Sequence, residues 1–324
     1  MRKSHVVLGA GVLVGAAIGV AARRRTVERL GGHHARSLTV ETDDGVRLAV
    51  DVEEPAAGAS FAVVFAHGWV LNRHCWHYQR EALSGQALLV SYDQRGHGLS
   101  GSGGTPTIER LGADLHAVVA AAVPEGMPVV LVGHSMGGMT IMALAASHPE
   151  LFGSRVVGVG LLSTSAGQLG LPGSLGRLTP VVLERLRARA AFVDGRPWLK
   201  TSANLPVTRY LAFGRGARRD HVRFVNAMIA ATPTAVMVGF FHGILAHDKA
   251  AALGALSRVE TVVIVGSRDR LTAPAHARRI AALVPSARLV EVPGAGHMVG
   301  LERPAAVNRE LQALLARAGQ SAAS

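Results

Sequence analysis

The chain has 324 residues, 49% of them hydrophobic, and a formal net charge of +12; that length supports one large core carrying an insertion rather than a string of small domains. A single cysteine, Cys75, excludes an internal disulfide. An aromatic content of 4% leaves few stacking platforms, so the positive charge does not read as nucleic-acid binding; attraction to anionic lipid, or a biased base composition, accounts for it.

Residues 6–22 are an unbroken apolar and small-residue run, preceded by Arg2 and Lys3 and followed by Arg23, Arg24 and Arg25. As a helix the run is ~26 Å long, close to a bilayer core of ~30 Å once flanking arginines snorkel. Gly11, Gly15 and Gly19 share one helix face, as in small-xxx-small packing. The expectation is a retained N-terminal membrane anchor with a basic linker over residues 1–36. The alternative is a signal peptide cleaved after Ala21, which would give a secreted protein. Three arginines directly beyond that site favour the anchor. His33 and His34 stand as a lone pair in the linker, and no Cys/His cluster has metal-ligand spacing.

Residues 37–42 and 46–52, joined by Asp43, Asp44 and Gly45, predict an opening β-hairpin. Short apolar runs at 61–66, 87–92, 129–132 and 156–162 alternate with helical segments, among them 107–123 with Thr107 as cap and 136–146. That alternation predicts a mainly parallel sheet with helices on both faces. The 61–66 run leads into His67-Gly68-Trp69, where His67 is expected to brace the loop. The loop from Asp93 to Ser100 is expected to organise the sheet edge through turns and hydrogen bonds rather than chemistry. The 129–132 run leads into Gly133-His134-Ser135-Met136-Gly137, a G-x-S-x-G pattern in strand-to-helix context. A turn that tight needs glycine on either side and lifts the Ser135 hydroxyl into the open.

Residues 166–253 are too long for a simple crossover and predict a helical cap, with Arg-rich helical stretches near 181–191 and 217–229 and an apolar one at 235–245. Met237, Phe240 and Phe241 are candidates to hold an acyl chain, or else they pack the cap on the core. His242 and His247 read as structural. Beyond the cap, a strand at 262–265 runs into Asp269 and one at 289–292 into His297. Both residues thus sit just past strand C-termini, where open α/β sheets build their sites. Helices are expected at 274–284 and 304–317, each with a proline near its start, and a disordered tail at 319–324. A serine hydroxyl needs a base, and the base an orienting acid. Ser135, His297 and Asp269 supply the three, with Asp248, which no strand precedes, as second candidate acid. The N–H groups of Met136 and Trp69 are the expected oxyanion donors.

These motifs together, with Asp93-Gln94-Arg95-Gly96-His97-Gly98-Leu99-Ser100 and Gly138, resemble the α/β-hydrolase superfamily over about residues 37–318. The Gly-His-Ser-Met-Gly-Gly form is similar to that of monoacylglycerol lipases, lysophospholipases and related esterases; it also occurs in cofactor-free perhydrolase relatives. The resemblance implies an α/β-hydrolase fold: a mostly parallel eight-stranded sheet with helices on both faces, a core from 37–165 and 254–318, and a helical cap from 166–253. It implies a cofactor-independent hydrolase of carboxylic esters acting through an acyl-enzyme, with perhydrolysis, thioester cleavage or acyl transfer as rivals on the same triad, and a non-enzymatic binding protein as a more distant one. The substrate is expected to be a small ester or lipid contacted by His67, Gly68, His134, Met237, Phe240 and Phe241. The cap matches no family pattern, so acyl length and alcohol group are not legible, nor is the oligomeric state.

Overall fold

Alternating apolar side chains close the first hairpin. β1 (Arg36–Glu41) and β2 (Arg47–Glu53) pair antiparallel across the Asp43-Asp44-Gly45 turn, where Gly45 takes φ +77° and the Thr42 hydroxyl donates to Asp44 Oδ1. This computed structural model describes residues 30–56, 58–170, 184–185, 187–196, 200–201 and 204–323, the last three by backbone alone. The run at 6–22 and residues 181–183 and 186 of the stretch at 181–191 lie outside them. Among the described residues no single helix is long and apolar enough to cross a membrane.

The remaining strands are β3 (Ala62–Ala66), β4 (Leu88–Tyr92), β5 (Val129–His134), β6 (Val156–Leu162), β7 (Glu260–Gly266) and β8 (Arg288–Val292). They form one eight-stranded sheet in the order β1-β2-β4-β3-β5-β6-β7-β8, antiparallel at β1, β2 and β4 and parallel from there on. The expected architecture is therefore the observed one. Period-2 geometry splits the strands between two cores. In β3, Ala62, Val64 and Ala66 enter one cluster, while Val63 and Phe65 enter the other.

Helices cover both faces. α1 (His77–Leu83), α2 (Ile108–Ala122) and α3 (Met136–Ser147) belong to the first part of the core. Thr107 caps α2 as its sequence suggests, accepting from the Arg110 N–H. The cap contributes α4 (Ala190–Asp194), α5 (Leu205–Ala212), α6 (Arg219–Ala231) and α7 (Thr234–Ala246). α8 (Pro274–Leu283), α9 (Val299–Glu302) and α10 (Pro304–Ala323) complete the core. Core and cap belong to one unit that begins at Gly31. α10 corrects the expected tail: it runs to Ala323. Val307, Leu311, Leu314, Leu315 and Ala318 form a buried stripe at helical spacing, and no proline stops the turn that follows. α5 was not foreseen.

From β3 the chain first adds β4 on one side, then crosses to add β5 on the other. The loops after β3 and β5 diverge at this switch point and leave a crevice at the strand C-termini.

Candidate active site

The crevice is shaped by close packing at the β5–α3 turn. A Cβ on Gly137 would overlap the Ala66 carbonyl oxygen of β3, and one on Gly133 would lie 2.5 Å from the Gly137 carbonyl oxygen. The turn therefore brings α3 tight against the sheet and forces Ser135 to φ +53°, ψ −117°. Such a backbone costs of order 1–3 kcal/mol and persists because its neighbours over-determine it. The Ser135 N–H donates to Leu162 O at 2.9 Å, and the Thr164 hydroxyl donates to Ser135 O at 2.7 Å. Among the described residues, four non-glycine positions have positive φ: Val70, Ser135, Ser163 and Gln168. Three of them, Val70, Ser135 and Gln168, line the same cavity.

His297 Nδ1 lies 2.9 Å from Asp269 Oδ2. The other carboxylate oxygen of Asp269 accepts the Leu271 and Thr272 N–H groups, each at 2.9 Å, and the Thr272 hydroxyl donates to Oδ2 at 2.9 Å. Burial pushes the Asp269 carboxyl up, but the His297 charge and these hydrogen bonds outweigh it and hold the group at about 2. Ser135 and His297 line one cavity, and among the described residues the Ser135 hydroxyl has no hydrogen-bond partner. Bonds of this kind commonly tighten only around a substrate. Asp248 is elsewhere: it is exposed and accepts from the Ala250 N–H.

The loop after β3 is held by histidines that stay neutral. His67 Nδ1 pairs with Gly68 O at 2.8 Å, and its Nε2 accepts the Gln94 N–H at 2.9 Å. His97 Nδ1 pairs with Arg95 O, and its Nε2 accepts the Val70 N–H at 3.2 Å. Burial lowers His67 to about 4 and His97 to about 3, which keeps an acceptor nitrogen on each ring. Arg95 in turn is fixed by Asp114 and Asp44. The Asp93–Ser100 loop thus does more than organise an edge: it sets Val70 in its left-handed conformation. The Trp69 and Met136 N–H groups are left without acceptors among the described residues.

The cavity measures about 430 Å³ and is mostly apolar, with Trp69, Met139, Val225, Met237 and Phe241 in its wall. Trp69 joins core to cap, its Nε1–H donating to Met237 O at 3.1 Å and its ring 5.3 Å from that of Phe241. His134 also lines the cavity and holds His297 from behind, its Nε2 2.9 Å from the His297 carbonyl oxygen. Burial, then the neighbouring His297 charge, lowers His134 to about 3, so it stays neutral. Three of the expected substrate contacts are corrected. His67 lies fully buried behind the loop with both ring nitrogens engaged. Gly68 packs against His134 and Ser135 beneath the cavity floor. Phe240, one residue round α7 from Phe241, packs with Met136, Met139 and Leu111 instead.

Sequence reasoning missed a clamp between cap and site. Glu302 accepts the Gly296 N–H, next to His297, at 2.7 Å and the Gly214 N–H of the cap at 2.8 Å. Met298 N–H donates to Ala212 O, and Arg270, next to Asp269, donates to Tyr210 O and Phe213 O. The end of α5 is thereby tied to the neighbours of both Asp269 and His297. Glu302→Gln removes one of two charge-assisted bonds and turns an N–H₂ toward a backbone N–H. It is expected to cost about 2 kcal/mol of stability, read by urea unfolding. An unchanged midpoint would show that the clamp carries no load.

Taken together, a free hydroxyl and an imidazole oriented by a carboxylate line one apolar cavity, with two open N–H groups on the adjoining turns. That set suffices for acyl transfer to serine. A model of the alpha/beta hydrolase family matches residues 63–310. The monoacylglycerol lipase of Mycolicibacterium smegmatis is 29% identical over 160 residues, spanning 46% of this chain and 57% of that protein. The pimeloyl-[acyl-carrier protein] methyl ester esterase of Chromobacterium violaceum is 27% identical over 72% of this chain and 86% of its own length. A thermophilic esterase from Thermogutta terrifontis superposes with a TM-score of 0.70 at 26% identity, covering 88% of this chain and 99% of its own. The chain belongs to the alpha/beta hydrolase family.

Proposed function

We propose that this protein is a serine hydrolase that cleaves carboxylic esters with lipid-like acyl groups through an acyl-enzyme. The enzyme class, carboxylic ester hydrolase, follows from the family together with relatives named as esterases and a lipase. The observation that carries the mechanism is the His297–Asp269 contact facing the same cavity as the strained Ser135. In this reading His297 takes the Ser135 proton as Oγ attacks the ester carbonyl. The oxyanion is held by the Met136 and Trp69 N–H groups, and His297 returns the proton to the departing alcohol. Water, activated by the same imidazole, then releases the acid. The apolar wall supports an acyl rather than a polar occupant.

The test is fluorophosphonate labelling of the intact protein, with the adduct located by peptide mass, followed by a p-nitrophenyl ester series of rising chain length. The expected adduct is on Ser135, with a rate optimum beyond the shortest esters. An adduct elsewhere would remove the serine mechanism, and a rate falling steadily from acetate would remove the lipid-like acyl group.

We also propose that residues 6–22 anchor the chain in a membrane. The length of the apolar run and its flanking arginines support this reading. The protein is then expected to stay in the membrane pellet after alkaline carbonate washing, whereas release into the wash, or an N-terminus beginning at Ala22, would overturn it.

A further inference from the structure

α5 is a partition. Its Val207, Thr208, Leu211 and Ala212 line the apolar cavity, while Leu205 and Arg209 line a separate groove of about 460 Å³ shared with Arg219, Val222 and Arg223 of α6. Arg209, Arg219 and Arg223 are exposed, and none has an ion pair among the described residues. Arg209 gives one hydrogen bond to Ala217 O and keeps its other donors. Arg219 and Arg223 stand four residues apart on one helix, an arrangement of like charges that costs helix stability unless an anion offsets it. The groove also borders the first turn of α6. Positive partial charge from that helix end adds to the three guanidinium groups. Asp220 is exposed on the same turn but does not line the groove, nor does any other carboxylate among the described residues.

Beside the groove, the cavity mouth is rimmed by apolar side chains in water: Val207, Leu211 and Leu271, with Tyr210 adjoining at 63% exposed. Arg209 directly precedes Tyr210 and Leu211 in α5, so the basic groove and the apolar rim meet along one helix, and a further cation, the Arg270 guanidinium, lies 4.5 Å from the Tyr210 ring centroid. A soluble phosphate would satisfy the arginines and leave this rim wet. A phospholipid surface satisfies both, offering phosphates to the guanidinium forks and acyl boundary to the rim.

We propose that the α5–α6 face of the cap docks on an anionic phospholipid surface, with Arg209, Arg219 and Arg223 on headgroup phosphates and Val207, Tyr210, Leu211 and Leu271 at the acyl boundary. The cavity then opens directly toward the lipid. This deepens the lipid-like substrate reading, yet its test reads binding and needs no turnover.

The full chain carries Ser135→Ala, to stop hydrolysis, and Tyr210→Cys bearing an environment-sensitive fluorophore; Cys75 is buried and does not compete for the label. The probe reports the cap itself, whatever residues 6–22 do. With phosphatidylglycerol vesicles the emission is expected to shift to the blue, and with phosphatidylcholine vesicles far less. Arg209→Gln, Arg219→Gln and Arg223→Gln together are expected to raise the half-saturating lipid concentration roughly a hundredfold. The three lysine replacements are expected to retain most of the binding, which separates lost charge from lost structure. Equal responses to both lipids, or no change in the glutamine variant, would overturn the proposal. So would inorganic phosphate or glycerol phosphate protecting the protein through these arginines while vesicles give no shift, because the groove would then be a soluble-phosphate site.

Discussion

Asp269→Asn is expected to lower kcat on the order of ten-thousandfold with the fold intact. The reason lies in which oxygen does what. One oxygen of Asp269 accepts the N–H groups of Leu271 and Thr272, and the other faces His297 Nδ1. In the asparagine variant the two backbone donors hold the amide oxygen in the first position. The N–H₂ is therefore forced to face His297 and donates to Nδ1. The imidazole must then carry its proton on Nε2, the nitrogen that in the proposed mechanism accepts from Ser135. No rotation of the amide escapes this, because the flipped form sets N–H₂ against two N–H groups. Steady-state kinetics on a p-nitrophenyl ester, with urea unfolding as control, check the result. A loss under a hundredfold would mean that the carboxylate does not set the tautomer. A loss that vanished when stability was restored would mean that folding was measured.

The same residues show what the sequence carries and what it does not. Ser135, Asp269 and His297 could be placed because each follows a short apolar strand, and a strand C-terminus in an open α/β sheet points at one edge whatever the details. Placing them at one edge of the sheet needed only the strand order. Glu302 and His97 gave no such signal. Glu302 acts through backbone N–H groups at positions 214 and 296, and His97 through the N–H at position 70. Unlike a helix cap, contacts to backbone outside the local turn leave no pattern in side-chain identity. The phase of α7 was equally hidden. Residues 235–245 are apolar almost all round, so the helical period gives no inward face. Only the packing of Gly239 against Pro106 and of Trp69 against Phe241 sends Phe241 to the cavity and Phe240 to the core. α5 is short, has a proline in its first turn and splits its residues between cavity, groove and water, a pattern that tertiary surroundings decide. The α10 extension is the opposite case: its buried stripe reaches Ala318, just past the expected end, and no proline stops the helix after it.

Gly137→Ala is expected to destabilise the protein by about 3 kcal/mol, the upper part of the range for overpacking, and to abolish ester turnover in whatever remains folded. A Cβ there would overlap the Ala66 carbonyl oxygen and come within 2.8 Å of His67 O, both backbone atoms of the β3 end. Backbone cannot swing aside as a side chain would. β3 is paired on both sides, to β4 and to β5, so it cannot retreat either. The helix must move instead, and α3 begins at Met136, whose N–H is one of the two open donors. Ser135 moves with it, as does the spacing to Trp69. Stability and activity should therefore fall together here, whereas Asp269→Asn separates them. Gly126→Ala is the control: that glycine, unlike Gly137, has positive φ, and it has no atom within 4 Å of the added Cβ, so it should cost only the strain of its turn, about 1 kcal/mol, with turnover unchanged. Urea midpoints and ester kinetics on the pair decide the matter. A loss at Gly137 no larger than that at Gly126 would mean that the contact between α3 and β3 is not what makes residue 137 a glycine.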